Sequence, residues 1–177
     1  MKKKLIVLLS LTAVFIFFMF SKTFAQESDV EKQIDEIVAQ AKKGDKEAKQ
    51  YLFFLAAMEI KGAQYLLKAA KENKNDVYFQ SLFSICSFMT DNKEIGLKNA
   101  EELAGNTEFG GMDKYSLAAY LCIEGRQSNE ERCFKIALKM FEDLKKAKFD
   151  EMDNVYEYMA ICVPETPERS KFMKNLQ

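Results

Sequence analysis

The apolar residues of this chain recur every three or four positions, which is the spacing of an amphipathic helix. Sustained alternation typical of strands is absent from the sequence, and its only prolines, Pro164 and Pro167, stand near the end. Four segments carry apolar residues at i, i+3, i+4 and i+7: Tyr51, Phe54, Leu55 and Met58; Phe79, Leu82, Phe83 and Cys86; Tyr115, Ala118, Ala119 and Cys122; Val155, Tyr158, Met159 and Cys162. The pattern therefore predicts an all-α protein.

Each of these four segments is followed by a short polar break and a second amphipathic segment, and an opening helix around Ile34 and Val38 precedes them. The order predicts antiparallel helical hairpins of roughly 30–40 residues, about eight or nine helices in all, stacked as a short α-solenoid or a compact bundle derived from one. The alternative is an ordinary helical bundle whose repeat is coincidental, because any amphipathic helix shows this spacing.

Polar residues before these segments mark the predicted helix starts. Asp91 and Ser128 each precede a glutamate by three residues, which fits a capping box. Asp76 stands where a single N-cap is needed, and Thr166 precedes a proline at a first helical position. As the cap of the following helix, Ser128 places the connection between the two helices of the third hairpin at residues 125–128.

The segment AKKGDKEAKQYL, residues 41–52, has Gly44 and Ala48 four positions apart. It resembles the G-x3-A-x3-L opening of Sel-type repeats, a group of tetratricopeptide-like helical repeats. YLLKAA, at residues 65–70, is similar to the end of their second helix. The resemblance covers residues 41–163 as a pattern and the first hairpin as a motif. It implies hairpins that approach closely at small residues and a protein-binding scaffold, and some exported members carry a disulfide across each hairpin.

The first 25 residues have the composition of a secretory signal peptide. Three lysines precede a nearly unbroken apolar run over residues 5–20, and Thr23 and Ala25 supply small residues at −3 and −1. An uncleaved membrane anchor is the alternative, although a full span needs about 20 apolar residues. We expect cleavage after Ala25 to leave one helical-repeat domain, residues 26–177, in the periplasm or outside the cell, without stable membrane insertion.

Charge and composition exclude several classes of function. Removing residues 1–25 takes away four lysines and no acidic residue, so the net charge changes from −1 to −5, and only three arginines occur. Nucleic acid is therefore not an expected partner. Because the chain has no histidine, it has no Ser-His-Asp or Cys-His catalytic group and no histidine metal site. We expect a non-enzyme with no cofactor and no metal.

Two of the four cysteines, Cys122 and Cys133, flank the predicted connection of the third hairpin. Both lie on core-facing stripes at similar distances from the connection, and Cα atoms within roughly 7 Å permit a bond. In an exported protein this predicts a Cys122–Cys133 disulfide. Two alternatives stay open: both residues are buried thiols, or Cys133 pairs with Cys162. Cys86 and Cys162 occupy equivalent positions two hairpins apart, so we expect both as buried thiols.

Aromatic residues near the first helices form the predicted binding surface, since first helices usually line the concave face of a solenoid and tyrosine is a favoured contact residue. Core packing is the alternative for any one of them. The candidates are Tyr51, Phe53, Tyr78, Tyr120 and Tyr156. The expected function is an exported protein-binding module with a protein or peptide partner, and one version is an immunity-type protein that neutralises an exported toxin. The alternatives are a small-molecule carrier with a pocket between helices and a carboxylate-dependent hydrolase.

Overall fold

The structure is a computed structural model that describes residues 27–173, with the side chains of residues 31–160 and 163–173. Within that range it contains nine α-helices and no strand. In chain order they are α1 Glu27–Lys42, α2 Lys46–Met58, α3 Ile60–Glu72, α4 Val77–Met89, α5 Lys93–Gly105, α6 Gly111–Ser128, α7 Glu131–Lys146, α8 Met152–Cys162 and α9 Pro167–Met173. The predicted all-α fold class is confirmed.

The chain divides into two compact units, one ending at Asp45 and the other beginning at Lys46. The described part of the first unit is α1, in which Ile34, Val38 and Ala41 are buried at the spacing that the sequence predicts. The second unit holds α2 to α9. The predicted signal peptide lies outside the described residues.

Helices of the second unit pack in adjacent pairs along the chain. The first helix of each pair also contacts the first helix of the next, so α2, α4, α6 and α8 form a row, and α5 lies beside α7. An alternation of first and second helices, each in contact with its neighbours, is the solenoid-like arrangement that the repeat predicts. None of the helices in residues 27–173 combines the length and the apolar character needed to cross a membrane.

The predicted core stripe is buried in α4 and α6 and largely exposed in α2. Phe79, Leu82 and Cys86 of α4 are buried, as are the alanines and the cysteine of the α6 stripe. On α2, by contrast, Phe54 and Met58 are exposed, and the buried residues are Ala48, Leu52 and Ala56. The apolar stripe that the sequence shows on α2 is therefore not the buried face of that helix. The small side chains of Ala48 and Ala56 let α2 approach its neighbours closely around Leu52, whereas Phe54 and Met58 lie outside.

Two of the predicted helix caps are present as expected. The Asp76 carboxylate accepts hydrogen bonds from the backbone N–H groups of Tyr78 and Phe79 at the start of α4. The Thr166 hydroxyl accepts one from the backbone N–H of Arg169, at 3.1 Å. Asp91 is not a cap, because it has a left-handed φ of 59° and α5 begins two residues later.

The connection between α6 and α7 is shorter than predicted. Ser128 is the last residue of α6 and not a cap for α7. Asn129, with a left-handed φ of 53°, ends α6, and the Glu130 carboxylate caps α7 by accepting from the N–H of Arg132. The turn is therefore made by two residues, which moves the hairpin tip away from residues 125–128.

This shift changes the position of the two cysteines relative to each other. Cys122 lies nearly two turns before the end of α6, while Cys133 lies in the first turn of α7. A Cβ placed on Gly125 would lie 3.0 Å from the Cβ of Cys133, so Cys133 faces Gly125. Cys133 is a buried free thiol, which corrects both the predicted Cys122–Cys133 disulfide and the rival pairing with Cys162. Cys86 is a buried free thiol, as predicted.

Candidate functional site

The five predicted contact residues do not form one surface. Tyr78 is 2% exposed and Tyr120 is 7% exposed, so both belong to the core and are not accessible to a partner. Tyr51 and Phe53 on α2, and Tyr156 on α8, are half-buried. Core packing, the alternative for each tyrosine, therefore describes Tyr78 and Tyr120.

Tyr78 of α4 contacts α2 through Lys49 and holds α2 against the helices beside it. Its hydroxyl donates a 2.8 Å hydrogen bond to the backbone oxygen of Lys49, and the Lys49 ammonium lies 4.6 Å from the centre of the Tyr78 ring. The same ammonium pairs with the Asp113 carboxylate of α6 at 3.1 Å. Burial, and then the negative charge of Asp113, raises the pKa of Tyr78. These contacts hold one flank of α2 against α4 and α6.

Tyr120 lies in a buried region that also contains two thiols. Its hydroxyl makes no hydrogen bond within the described chain, and its ring meets Phe88 edge-on at 5.9 Å. Burial raises the pKa of Tyr120, with smaller contributions from Glu124, Cys133 and Cys86. Burial also raises the pKa of each of these two thiols to about 12. Because the thiolate is the nucleophile, neither cysteine is suited to catalysis at neutral pH.

Tyr156 helps to attach α9 to the rest of the second unit. Its ring lies 5.6 Å from that of Phe172, and Lys145 of α7 donates a 2.9 Å hydrogen bond to the Phe172 backbone oxygen. The Lys145 ammonium also lies 4.6 Å from the centre of the Phe172 ring. Tyr156 therefore packs against α9 at the end of the described chain.

Exposed apolar side chains concentrate on one flank of α2 and at the start of α3. Phe54 is 47% exposed, Met58 is 75% exposed and Ile60 is 59% exposed. Tyr51, half-buried, lies one turn before Phe54 on the same flank. We call Tyr51, Phe54, Met58 and Ile60 the α2 strip. Other large exposed apolar residues, Ile95 and Ile123, lie on α5 and α6.

The α2 strip faces outward because the other sides of α2 are occupied. Lys49 is held by its contacts with α4 and α6, and Leu52 is fully buried. Towards α3, a Cβ placed on Gly62 would lie 2.7 Å from the Cγ of Leu55, so the α3 backbone lies directly against α2. The strip therefore lies on a helix whose opposite side contacts α3, α4 and α6.

The sequence pointed to Tyr51 as a contact residue but assigned no role to the other three residues of the strip. Phe54 and Met58 were identified only as part of an apolar stripe, and Ile60 was not singled out. The signal that could have identified them is the G-x3-A-x3-L segment, because its Ala48 and Leu52 mark the buried face and leave the stripe beside it uncovered.

A groove of about 460 Å³ lies between α3, α4 and α5. Its lining mixes apolar residues such as Phe83 with charged and polar ones, among them Lys71 and Glu102. Asn99 donates hydrogen bonds to the Gln80 backbone oxygen and to the Ser84 hydroxyl. Small-molecule sites bury most of their ligand, whereas this groove is open to solvent, so it gives little support to a carrier. Residues 31–160 and 163–173 contain no group of three or more Cys, Asp or Glu side chains that could hold a metal ion.

Comparison with family models, curated proteins and solved structures finds no match for the chain.

Proposed function

We propose that the protein is an exported, non-enzymatic protein-binding module that holds a protein partner through the α2 strip. The observation that carries the proposal is the exposure of Phe54, Met58 and Ile60 within seven residues. A contiguous apolar patch on a soluble domain indicates an interaction site, whereas single exposed apolar residues are ordinary. A patch on a helix that its neighbours already fix also loses little conformational entropy on binding.

The composition of the chain supports a binding role over catalysis. The sequence has no histidine, and the thiols of Cys86 and Cys133 are buried with raised pKa values. Export rests on the composition of residues 1–25, which is typical of a signal peptide. The pairing of consecutive helices is the solenoid-like arrangement that many protein-binding repeats use.

The proposal is tested by affinity capture of the tagged protein from the native envelope fraction. We expect a stoichiometric protein partner that is lost in the triple variant F54S/M58S/I60S. The matched control, I95S/I123S, removes exposed apolar side chains outside the strip and should retain the partner. Circular dichroism verifies that both variants keep their helicity. Equal capture by the triple variant and the wild type would show that the strip is not the binding surface.

A further inference from the structure

We propose that Met58 is an oxidation site that controls binding at the α2 strip: a peroxide converts its thioether to the sulfoxide, and the strip then releases its partner. The inference rests on the proposed function, because it names a way in which the same strip is regulated. Its basis is the exposure of Met58 and its position within the strip.

Met58 is more exposed than any other methionine whose side chain the structure describes. It is 75% exposed at the last residue of α2, whereas Met140 and Met159 are fully buried. The remaining four methionines in the described range are half-buried: Met89, Met112, Met152 and Met173. Because an oxidant in solution must reach the sulfur atom, exposure sets the order of reaction, and Met58 is oxidised first.

The buried thiols do not compete for the oxidant. Cys86 and Cys133 are both 0% exposed, and burial raises the pKa of each thiol to about 12. Peroxides react with the thiolate, and these two side chains are protonated at neutral pH, so both react slowly. A limited dose of peroxide therefore modifies the strip before it modifies the core.

The reaction transfers one oxygen atom to the sulfur of Met58. The sulfur donates an electron pair to one oxygen of the peroxide, so that a sulfur–oxygen bond forms while the oxygen–oxygen bond breaks. The proton of the transferred oxygen passes to the departing oxygen, which leaves as water or as an alcohol. The sulfur loses two electrons and the peroxide gains them. Methionine sulfoxide reductases reverse the change.

The sulfoxide changes the surface of the strip and not the fold. Met58 lies one turn after Phe54 and two residues before Ile60, so its side chain is part of the same apolar patch. A sulfoxide is polar, and covering it with an apolar partner removes its hydrogen bonds to water. The same change at a core residue such as Met140 would disturb packing, but the Met58 side chain lies mostly in water. Oxidation of Met58 therefore weakens binding while the helices stay intact.

The test exposes the purified protein to a limited dose of hydrogen peroxide and follows each methionine by peptide mapping and mass spectrometry. Met58 should form its sulfoxide several-fold faster than any of the half-buried methionines. Capture of the partner from the native envelope fraction should fall by about tenfold, the loss typical of an interface that loses one apolar anchor. Circular dichroism should show unchanged helicity, and treatment with methionine sulfoxide reductases should restore capture.

Three variants isolate the contribution of the Met58 sulfur. Met58→Leu keeps an apolar side chain of similar volume, so it should capture the partner both before and after peroxide treatment. Met58→Gln introduces a polar side chain of similar length and should lose capture without any oxidant. Met152→Leu is the matched control: it removes a half-buried methionine of α8 and should respond to peroxide as the wild type does.

The inference is overturned if Met58 is oxidised no faster than the half-buried methionines, or if peroxide abolishes capture by Met58→Leu as fully as by the wild type. It also fails, with the proposed function intact, if the Met58 sulfoxide captures the partner as well as the untreated protein does while F54S/M58S/I60S loses it. If no partner is captured, or if neither oxidation nor the triple variant changes capture, both proposals fall.

Discussion

The hydroxyl of Tyr78 on α4 donates a 2.8 Å hydrogen bond to the backbone oxygen of Lys49 on α2. The Lys49 ammonium lies over the same ring and pairs with Asp113 of α6. Three first helices therefore meet at one point, on the flank of α2 away from the strip. This contact sets the direction in which α2 faces, and with it the side chains that α2 exposes.

Tyr78→Phe should lower the free energy of unfolding by about 1 kcal/mol, because a buried hydrogen bond is lost while the ring stays in place. Urea denaturation followed by circular dichroism measures the change. Tyr156→Phe is the control, since this half-buried tyrosine packs through its ring against Phe172 and Lys145, and its effect should stay within about 0.5 kcal/mol. Equal losses in the two variants would mean that the Tyr78 hydroxyl has no special role.

Gly125→Ala should destabilise the hairpin of α6 and α7. The added Cβ would lie 3.0 Å from the Cβ of Cys133 and 3.0 Å from a ring carbon of Phe134. Overpacking of this kind costs about 1–3 kcal/mol, which is larger than the gain of about 1 kcal/mol from replacing a helical glycine with alanine.

Gly105→Ala is the matched control for that substitution. The nearest atom to its added Cβ is the Lys139 ammonium nitrogen, at 3.8 Å. It should therefore stabilise the protein by up to about 1 kcal/mol. If thermal denaturation shows Gly125→Ala to be as stable as Gly105→Ala, then Gly125 of α6 does not lie as close to Cys133 as described.

The sequence predicted the fold class and most of the core because the same apolar spacing recurs in α4, α6 and α7. The sequence did not show which face of α2 is buried, because two apolar faces lie side by side on that helix. Spacing shows that a face is apolar but not that a neighbour covers it. The face of Ala48, Leu52 and Ala56 is buried, since its two alanines permit close approach, and Phe54 and Met58 are left outside.

The predicted disulfide failed for a different physical reason. A serine three residues before a glutamate fits a capping box, and this placed the end of α6 near Gly125. The helix instead continues to Ser128, because Asn129 takes the left-handed conformation that ends helices. Cys133 then meets Gly125 one turn away from Cys122. When two capping signals compete at a helix end, the sequence alone does not show which one the folded protein uses.

The thiols of Cys86 and Cys133 should not react with a thiol reagent while the protein is folded, because both are buried and their pKa values are raised to about 12. Labelling followed by mass spectrometry checks this at neutral pH, and unfolding in urea should make both residues reactive. Recovery of a peptide that joins Cys122 to Cys133 under non-reducing conditions would contradict the described hairpin.

The free energy of unfolding should decrease above about pH 9. The pKa of Cys86 is raised from 9.0 to about 12 by burial, so its contribution is complete below pH 9 and is lost as the pH rises towards 12. The raised pKa values of Tyr51, Tyr78 and Tyr120 act in the same direction from about pH 10. Denaturation at neutral pH and near pH 10 measures the loss, which should be smaller in Cys86→Ala. A decrease that is identical in this variant would show that the Cys86 thiol is not involved.

The most direct test of the central claim is whether the α2 strip is covered where the protein works. Labelling of a cysteine at Met58 with a maleimide is measured above that of the wild-type protein, in which the thiols of Cys86 and Cys133 are buried. We predict that Met58→Cys reacts several-fold more slowly in the native envelope fraction than in dilute purified protein, while the exposed control Ile95→Cys reacts at the same rate in both. Equal rates for Met58→Cys in the two preparations would contradict the assignment of the strip as a binding surface.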